Sequence, residues 1–433
     1  MSEAVTIKNA AIGEEYYKIR HKSGCEIIVY PKNFSSSYAV IASKYGFVHS
    51  AIEMDSKVLE LPDGIAHFLE HKMFENIDGE DTFAKFGTLG ASANAYTTFD
   101  KTAYLFSTTG DFYAALAVLL ESMYAPHFTE ENVAKERGII EQEIVMYDDD
   151  PSDALYLALM DAMYHVNPVK KSIVGTAETI AEITPKLLYE CFDAFYHPSS
   201  MVLVVCGQVD VKSVLVVTDK YLPDLPMVDM EVQKFDEPKA VRLPLVKINR
   251  QVSKPKIAIG IKDIEISADS TERLKKQLTL NILCLMLFST SSEFASKLYE
   301  DGLISAPLSY WQQHYPTFSH IHLYAESDCY DEVYSRFLEF VETVKRDGVI
   351  DDDFVRTKRD VYANYVMTFQ STENISETVL DATIAGYEML ASIEVLDEIT
   401  CADVWQMARE IFQDEHYTFA VVEKSESATS NVK

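Results

Sequence analysis

Residues 63–75 read Asp-Gly-Ile-Ala-His-Phe-Leu-Glu-His-Lys-Met-Phe-Glu, and His67, Glu70 and His71 are the side chains there that can bind a metal or move a proton. After Gly64 the stretch has no glycine or proline and consists mostly of good helix formers. On a helix these three positions are i, i+3 and i+4, so they project from one face. Two imidazoles one turn apart are a common nitrogen pair for Zn²⁺, and a carboxylate on the same turn reaches a water held beside them. Glu70 therefore reads as a general base. Phe68, Leu69, Met73 and Phe74 supply an apolar flank, which makes the helix a core element as well.

A catalytic zinc site uses three protein ligands and an open position, so one ligand is still missing. Glu136-Arg137-Gly138-Ile139-Ile140-Glu141-Gln142-Glu143 places Glu136 and Glu143 seven residues apart on one helical face, while Glu141 points elsewhere. A carboxylate on a stripe shared with Ile139 and Ile140 needs a partner if buried. A solvated acidic helix gives the same pattern, and the spacing does not separate the two. His320 and His322 alternate along a strand with no third ligand nearby in sequence, so they read as core or surface histidines.

The elements that must position these groups belong to a chain of 433 residues, long enough for two to three domains. Its 38 Lys and Arg against 68 Asp and Glu give a net charge of −30, which argues against nucleic acid as a partner. The amino-terminal residues have no signal-peptide core, and no apolar run approaches the ~18 residues of a membrane span, so a cytoplasmic, non-membrane protein is expected. Cys25, Cys191, Cys206, Cys284, Cys329 and Cys401 are scattered among mostly apolar neighbours and read as reduced thiols.

Strand patterns are clearest at 26–30, 38–42, 91–98 and 102–106, with helices over 111–125, 129–147, 152–164 and 185–196 and a buried strand at 201–206. Pro223, Pro226, Pro238 and Pro244 interrupt an aperiodic charged stretch, so 223–246 is the expected linker between domains 1–222 and 247–433. Strands near 256–262 and 318–325 and helices near 273–288, 330–346, 352–369 and 374–391 follow. Glu182-Ile183-Thr184 leads into a helix and the strand Leu203-Val204-Val205; Glu398-Ile399-Thr400 leads into a helix and the strand Phe419-Ala420-Val421-Val422, 216 residues later. At that offset Leu283, Met286 and Leu287 stand where His67, Glu70 and His71 do. The expectation is an α+β protein of two homologous domains, each a mostly antiparallel sheet packed with helices, with chemistry in the first only.

The H-x-x-E-H helix, the Glu136–Glu143 helix and the doubled architecture together resemble the pitrilysin or insulinase family of zinc metallopeptidases (inverzincins), particularly its small bacterial, processing-peptidase-like members. The resemblance spans both halves and implies a domain pair forming half of a clamshell. It assigns Glu143 as the third ligand of one Zn²⁺ per chain, with His67 and His71, and Glu136 as a supporting carboxylate. It also implies that Asn94, Ala95, Tyr96 and Thr97 form a strand to which a peptide substrate adds. Family members that act alone carry an Arg and a Tyr in the second domain. Aligned on Gly302-Leu303, those positions are Leu298 and Ser305 here, with Tyr310 five residues further on. The resemblance therefore implies a zinc-bearing endopeptidase subunit for short or unfolded peptides, completed by a paralogous Arg/Tyr subunit in a heterodimer rather than by a homodimer. The alternative is a non-catalytic scaffold or assembly subunit of the same fold.

Overall fold

The computed structural model describes residues 4–54, 57–75, 82–225, 234–263 and 265–425. Among the described residues fourteen strands form the sheets: β1 (Ala4–Asn9), β2 (Glu14–Arg20), β3 (Glu26–Pro31), β4 (Ser37–Ser43), β5 (Ala51–Met54), β6 (Lys57–Glu60), β7 (Ala91–Thr97), β8 (Thr102–Thr108), β9 (Met201–Gly207), β10 (Leu245–Arg250), β11 (Lys256–Asp263), β12 (Ser309–His314), β13 (Ser319–Glu326) and β14 (Tyr417–Lys424). Five helices matter below: α1 (Ile65–Lys72), α2 (Glu130–Asp149), α3 (Pro151–Met163), α4 (Ser270–Phe288) and α5 (Thr372–Ala385).

The chain packs as two compact units. One comprises Met1–Ile144, Ser172–Gln233 and Asn364–Ile393; the other comprises Val145–Lys171, Lys234–Ala363 and Glu394–Lys433. The first holds a seven-stranded sheet ordered β1-β2-β3-β9-β4-β8-β7, and the second a five-stranded sheet ordered β10-β14-β11-β13-β12. In each, one pair is parallel, β3 with β9 and β10 with β14, and the other neighbours are antiparallel.

The internal repeat is visible in the ladders. β9 and β14 begin at residues 201 and 417, 216 apart, and each is the strand paired parallel to the sheet's outer part. The preceding helices start at Pro185 and Cys401, also 216 apart, and Thr184 and Thr400 cap them through their hydroxyls. Leu283, Met286 and Leu287 lie on α4, buried in the second unit's core with Phe288, Phe337 and Phe412. By length and composition Ser270–Glu300 is apolar enough to cross a membrane, but just over half of its apolar window is buried inside the protein.

The strands divide between the units as a split at 223–246 expects, but two helices do not. α3, from the amino-terminal half, packs on β10, β11 and β14. Gly260 of β11 lies beneath it, where a Cβ would collide with Met163 and crowd Leu159. α5, from the carboxy-terminal half, lies on β4 and β9, where Ile375, Val379, Leu380 and Ala382 join Tyr16, Ile28, Tyr38, Val40 and Val204 in one apolar cluster. Local patterning reports that a helix has an apolar face but not which sheet receives it, so contiguous domains were the simplest expectation. Residues 226–233 of the expected linker lie outside the described residues.

The rest of that linker contributes the acidic half of a buried ion pair with β11. Glu237 accepts the backbone N–H groups of His165, Val166 and Asn167, each at 2.8 Å, and pairs with the fully buried Lys262 at 2.7 Å. Burial pushes the Glu237 pKa up, but the three amides and the ammonium outweigh it and hold the carboxyl below its usual range. A depressed carboxylate contributes stability above the ordinary Glu value of about 4.3 and loses it as pH falls through its lower folded value. Glu237→Gln leaves the Lys262 charge buried without a counter-ion and is expected to cost about 3–5 kcal/mol. A drop in urea midpoint at pH 7, narrowing toward acid, checks this.

Candidate active site

α1 starts at Gly64, whose φ of 91° is in the left-handed region. A Cβ there would stand 2.6 Å from the Val174 carbonyl oxygen, so glycine lets the helix begin against the loop at Val174–Gly175. Phe68, Leu69 and Met73 are buried on the apolar side. His67, Glu70 and His71 emerge together, with the two imidazole centroids 4.5 Å apart.

α2 brings the carboxylates. Thr129 caps its start, accepting the Asn132 amide at 3.2 Å, and Arg137 ties it to the backbone by donating to the Ile180 and Ile183 carbonyls. Glu143 Oε1 lies 3.6 Å from His67 Nε2, and its Oε2 lies 3.8 Å from His71 Nε2. These are too long for hydrogen bonds. They are close to the ~3.4 Å separating tetrahedral ligands that each sit about 2.0–2.1 Å from zinc. One ligand atom from each of His67, His71 and Glu143 falls within 4.8 Å of the others, the one such group among the described residues. Three donors that face each other without bonding to each other fit a metal ion.

Glu136 sits one heptad earlier and accepts a hydrogen bond from His71 Nδ1 at 2.9 Å. That bond fixes the tautomer, leaving the Nε2 lone pair toward Glu143. Burial opposes ionisation of Glu136, but the His71 bond and charge, with Lys72, hold its pKa below the usual range. Burial also opposes charge on His71, and it is overcome by Glu136, Glu70 and Glu143, so the His71 pKa lies above its usual value. Metal uptake must release that proton and weakens as pH falls. His67 is the opposite case. Burial, then the nearby His71 charge, push it down to about 3, so it presents a neutral imidazole.

Glu70 is buried and accepts a hydrogen bond from Thr97 Oγ1 at 2.6 Å. Burial raises its pKa against that bond. A carboxyl so placed holds or gives up a proton nearer to neutral pH than an exposed one.

The chain belongs to the M16 peptidase family. The family model "Insulinase (Peptidase family M16)" matches residues 60–177, and "Peptidase M16 inactive domain" matches 182–361. YmfH of Bacillus subtilis, an uncharacterized zinc protease, is 40% identical over 310 residues, covering 70% of this chain and 72% of the relative. The crystal structure of an M16-like peptidase from Alicyclobacillus acidocaldarius superposes with a TM-score of 0.90 at 31% identity, covering 97% of this chain and all of that one. The periplasmic protease PqqL of Escherichia coli shares the fold, with a TM-score of 0.75 at 15% identity over 97% of this chain and 48% of its own.

Within this M16 chain, the structure groups His67, His71 and Glu143, puts Glu70 beside them and Glu136 behind His71. Asn94, Ala95, Tyr96 and Thr97 lie on β7, which pairs with β8 and is the outer strand of its sheet. Three of the four side chains are already engaged. Asn94 Oδ1 accepts the Ala95 amide, Thr97 holds Glu70, and the Tyr96 hydroxyl donates to Glu377.

Two contributors escaped the sequence reading. Thr97 is expected from the resemblance only as part of the substrate-pairing strand, and its bond to Glu70 follows only once β7 is laid beside α1. Lys72, next to His71, is fully buried with its Nζ 2.5 Å from Glu75 and 3.9 Å from Glu136. A lysine in a run of apolar helix residues was the available signal.

Replacing Glu136 by Gln keeps the shape but loses the charge that holds the His71 tautomer. Zinc affinity is expected to fall about 10- to 100-fold. A competitive chelator titration measures it; unchanged affinity would remove Glu136 from the site.

Proposed function

We propose that the chain is the zinc-bearing subunit of an endopeptidase acting on short or unfolded peptides. The observation that carries this is the pairing of a three-donor metal cluster, His67, His71 and Glu143, with a buried carboxylate held beside it by Thr97. Zn²⁺ held by those three side chains supplies a Lewis acid that makes water nucleophilic near neutral pH and polarises a carbonyl.

The protein's own groups do the rest. Glu70 takes the proton of the attacking water and passes it to the departing amine. Its burial favours that exchange by keeping the carboxyl pKa above the usual range. Glu136 keeps His71 in one tautomer and one orientation. The position of β7 as the outermost strand of its sheet among the described residues supports backbone pairing with an extended peptide, which sets the geometry of the scissile bond with little dependence on side chains.

Dependence on a paralogous subunit is the second part of the proposal. Leu298 is buried in the second unit's core, and Ser305 is exposed and carries no phenol. Tyr310 packs against the same core, and burial pushes its phenol up to about 12. None of these offers a guanidinium to a substrate backbone. The match of this whole chain to about half of PqqL supports a reading in which two such chains make one enzyme.

The test is hydrolysis of a peptide library by the zinc-loaded chain, alone and mixed with a paralogue bearing the Arg/Tyr pair. Cleavage in the mixture, weak or absent with either chain alone, is the expected result. Full activity alone removes the partner from the proposal. No cleavage in any mixture, with zinc bound, favours the scaffold reading.

A further inference from the structure

Tyr96 and Thr97 are neighbours on β7, so their side chains leave opposite faces of the sheet. On one face Thr97 holds Glu70 at 2.6 Å. On the other, the Tyr96 hydroxyl donates to one carboxylate oxygen of Glu377 on α5. The second oxygen of Glu377 accepts from the Tyr38 hydroxyl of β4 at 2.6 Å. β8 lies between β4 and β7, so this one carboxylate bridges across a strand and ties the edge of the sheet to its interior.

One helical turn later Asp381 repeats the contact. It pairs at 2.7 Å with Lys101 in the β7–β8 turn, and the Lys101 ammonium lies 5.7 Å from the centre of the Tyr96 ring. An edge strand has a ladder on one side only, so its position depends on such anchors more than that of an interior strand. Glu377 also comes from a segment distant in sequence, in the half of the chain that carries no metal ligand.

We propose that Glu377 is a positioning residue. It sets the place of β7 and, through the adjacent Thr97, the place of the Glu70 carboxylate. The effect on catalysis rests on the peptidase reading above; the effect on β7 does not.

The experiment compares Glu377→Ala, Glu377→Gln and Tyr96→Phe with Glu388→Ala in the full-length zinc-loaded protein. Glu388 follows α5 and holds Tyr16 at 2.5 Å and Lys18 at 2.8 Å, at β2 and away from β7. Removing the charged acceptor is expected to speed amide hydrogen exchange over residues 91–97 about 10- to 100-fold, with little change in β3 and β9. Peptide kcat/KM should fall about tenfold or more, through KM because the peptide pairs with β7 in the reading above and through kcat because Glu70 is displaced with Thr97. Glu377→Gln, which keeps an acceptor oxygen, should recover most of both effects, and Tyr96→Phe should reproduce part of them. Zinc content should stay near one per chain.

Unchanged exchange over 91–97 in Glu377→Ala overturns the proposal. So does an equal change in Glu388→Ala, since that would be general loosening of the segment. Altered exchange with an unchanged KM and kcat confines Glu377 to the fold and overturns its catalytic part. If the wild type cleaves nothing even with a paralogue, the peptidase reading fails, and the exchange data still decide whether Glu377 holds β7.

Discussion

Glu70→Gln is expected to lower peptide hydrolysis by about 10³- to 10⁴-fold, the upper part of the range for loss of a general base. The amide is close in shape to the carboxylate and keeps an oxygen for the 2.6 Å bond from Thr97, so the fold around it should persist. What disappears is the capacity to take a proton. Glu70 is not among the three side chains whose donor atoms converge, so zinc should remain near one per chain by atomic absorption. Loss of zinc in this variant would make Glu70 a ligand and overturn its assignment as base. Retained hydrolysis would move the base elsewhere.

The second large effect is thermal. His67, His71 and Glu143 come from two helices, and an ion held by all three binds the folded chain but no preformed site in the unfolded one. At a free zinc concentration about a thousandfold above its dissociation constant, that linkage is worth about 4 kcal/mol. For a unit of this size it corresponds to a melting temperature raised by roughly 8–16 °C. His71→Ala and Glu143→Ala should abolish both the shift on adding zinc and the hydrolysis. A full shift in either variant would show that zinc stabilises the protein from another site. Glu136→Gln should retain the shift at higher zinc, because it weakens a ligand without removing one.

The parts of this site that were legible in the sequence are those written within one helix. The i, i+3, i+4 spacing of His67, Glu70 and His71 and the seven-residue spacing of Glu136 and Glu143 are helical geometry, and both helices form. Likewise the repeat of Glu-Ile-Thr before a helix and strand carried the doubled sheet, because capping and apolar patterning are local. That Glu143 faces the imidazoles while Glu141 is exposed depended on the resemblance, since spacing alone fits a solvated helix equally well. Thr97 and Glu377 were beyond local reading. One acts across a strand–helix contact, and the other spans 281 positions to Tyr96. His320 and His322, whose alternation with no third ligand nearby reads as core or surface histidines, are buried on β13 and packed beside Tyr164 and Trp311.

The placement of α3 and α5 bears on how such a gene can be cut. A break in the 223–246 region would release a front piece without the helix that covers β4 and β9, exposing an apolar patch that includes Tyr38, Val40 and Val204. The back piece would equally lack the helix seated over Gly260. Recombination or fission at the apparent midpoint would thus yield two aggregation-prone fragments, while a whole duplicated chain remains intact. Splitting labour between full-length copies leaves both cores closed, which is the form of division a paralogous pair would take.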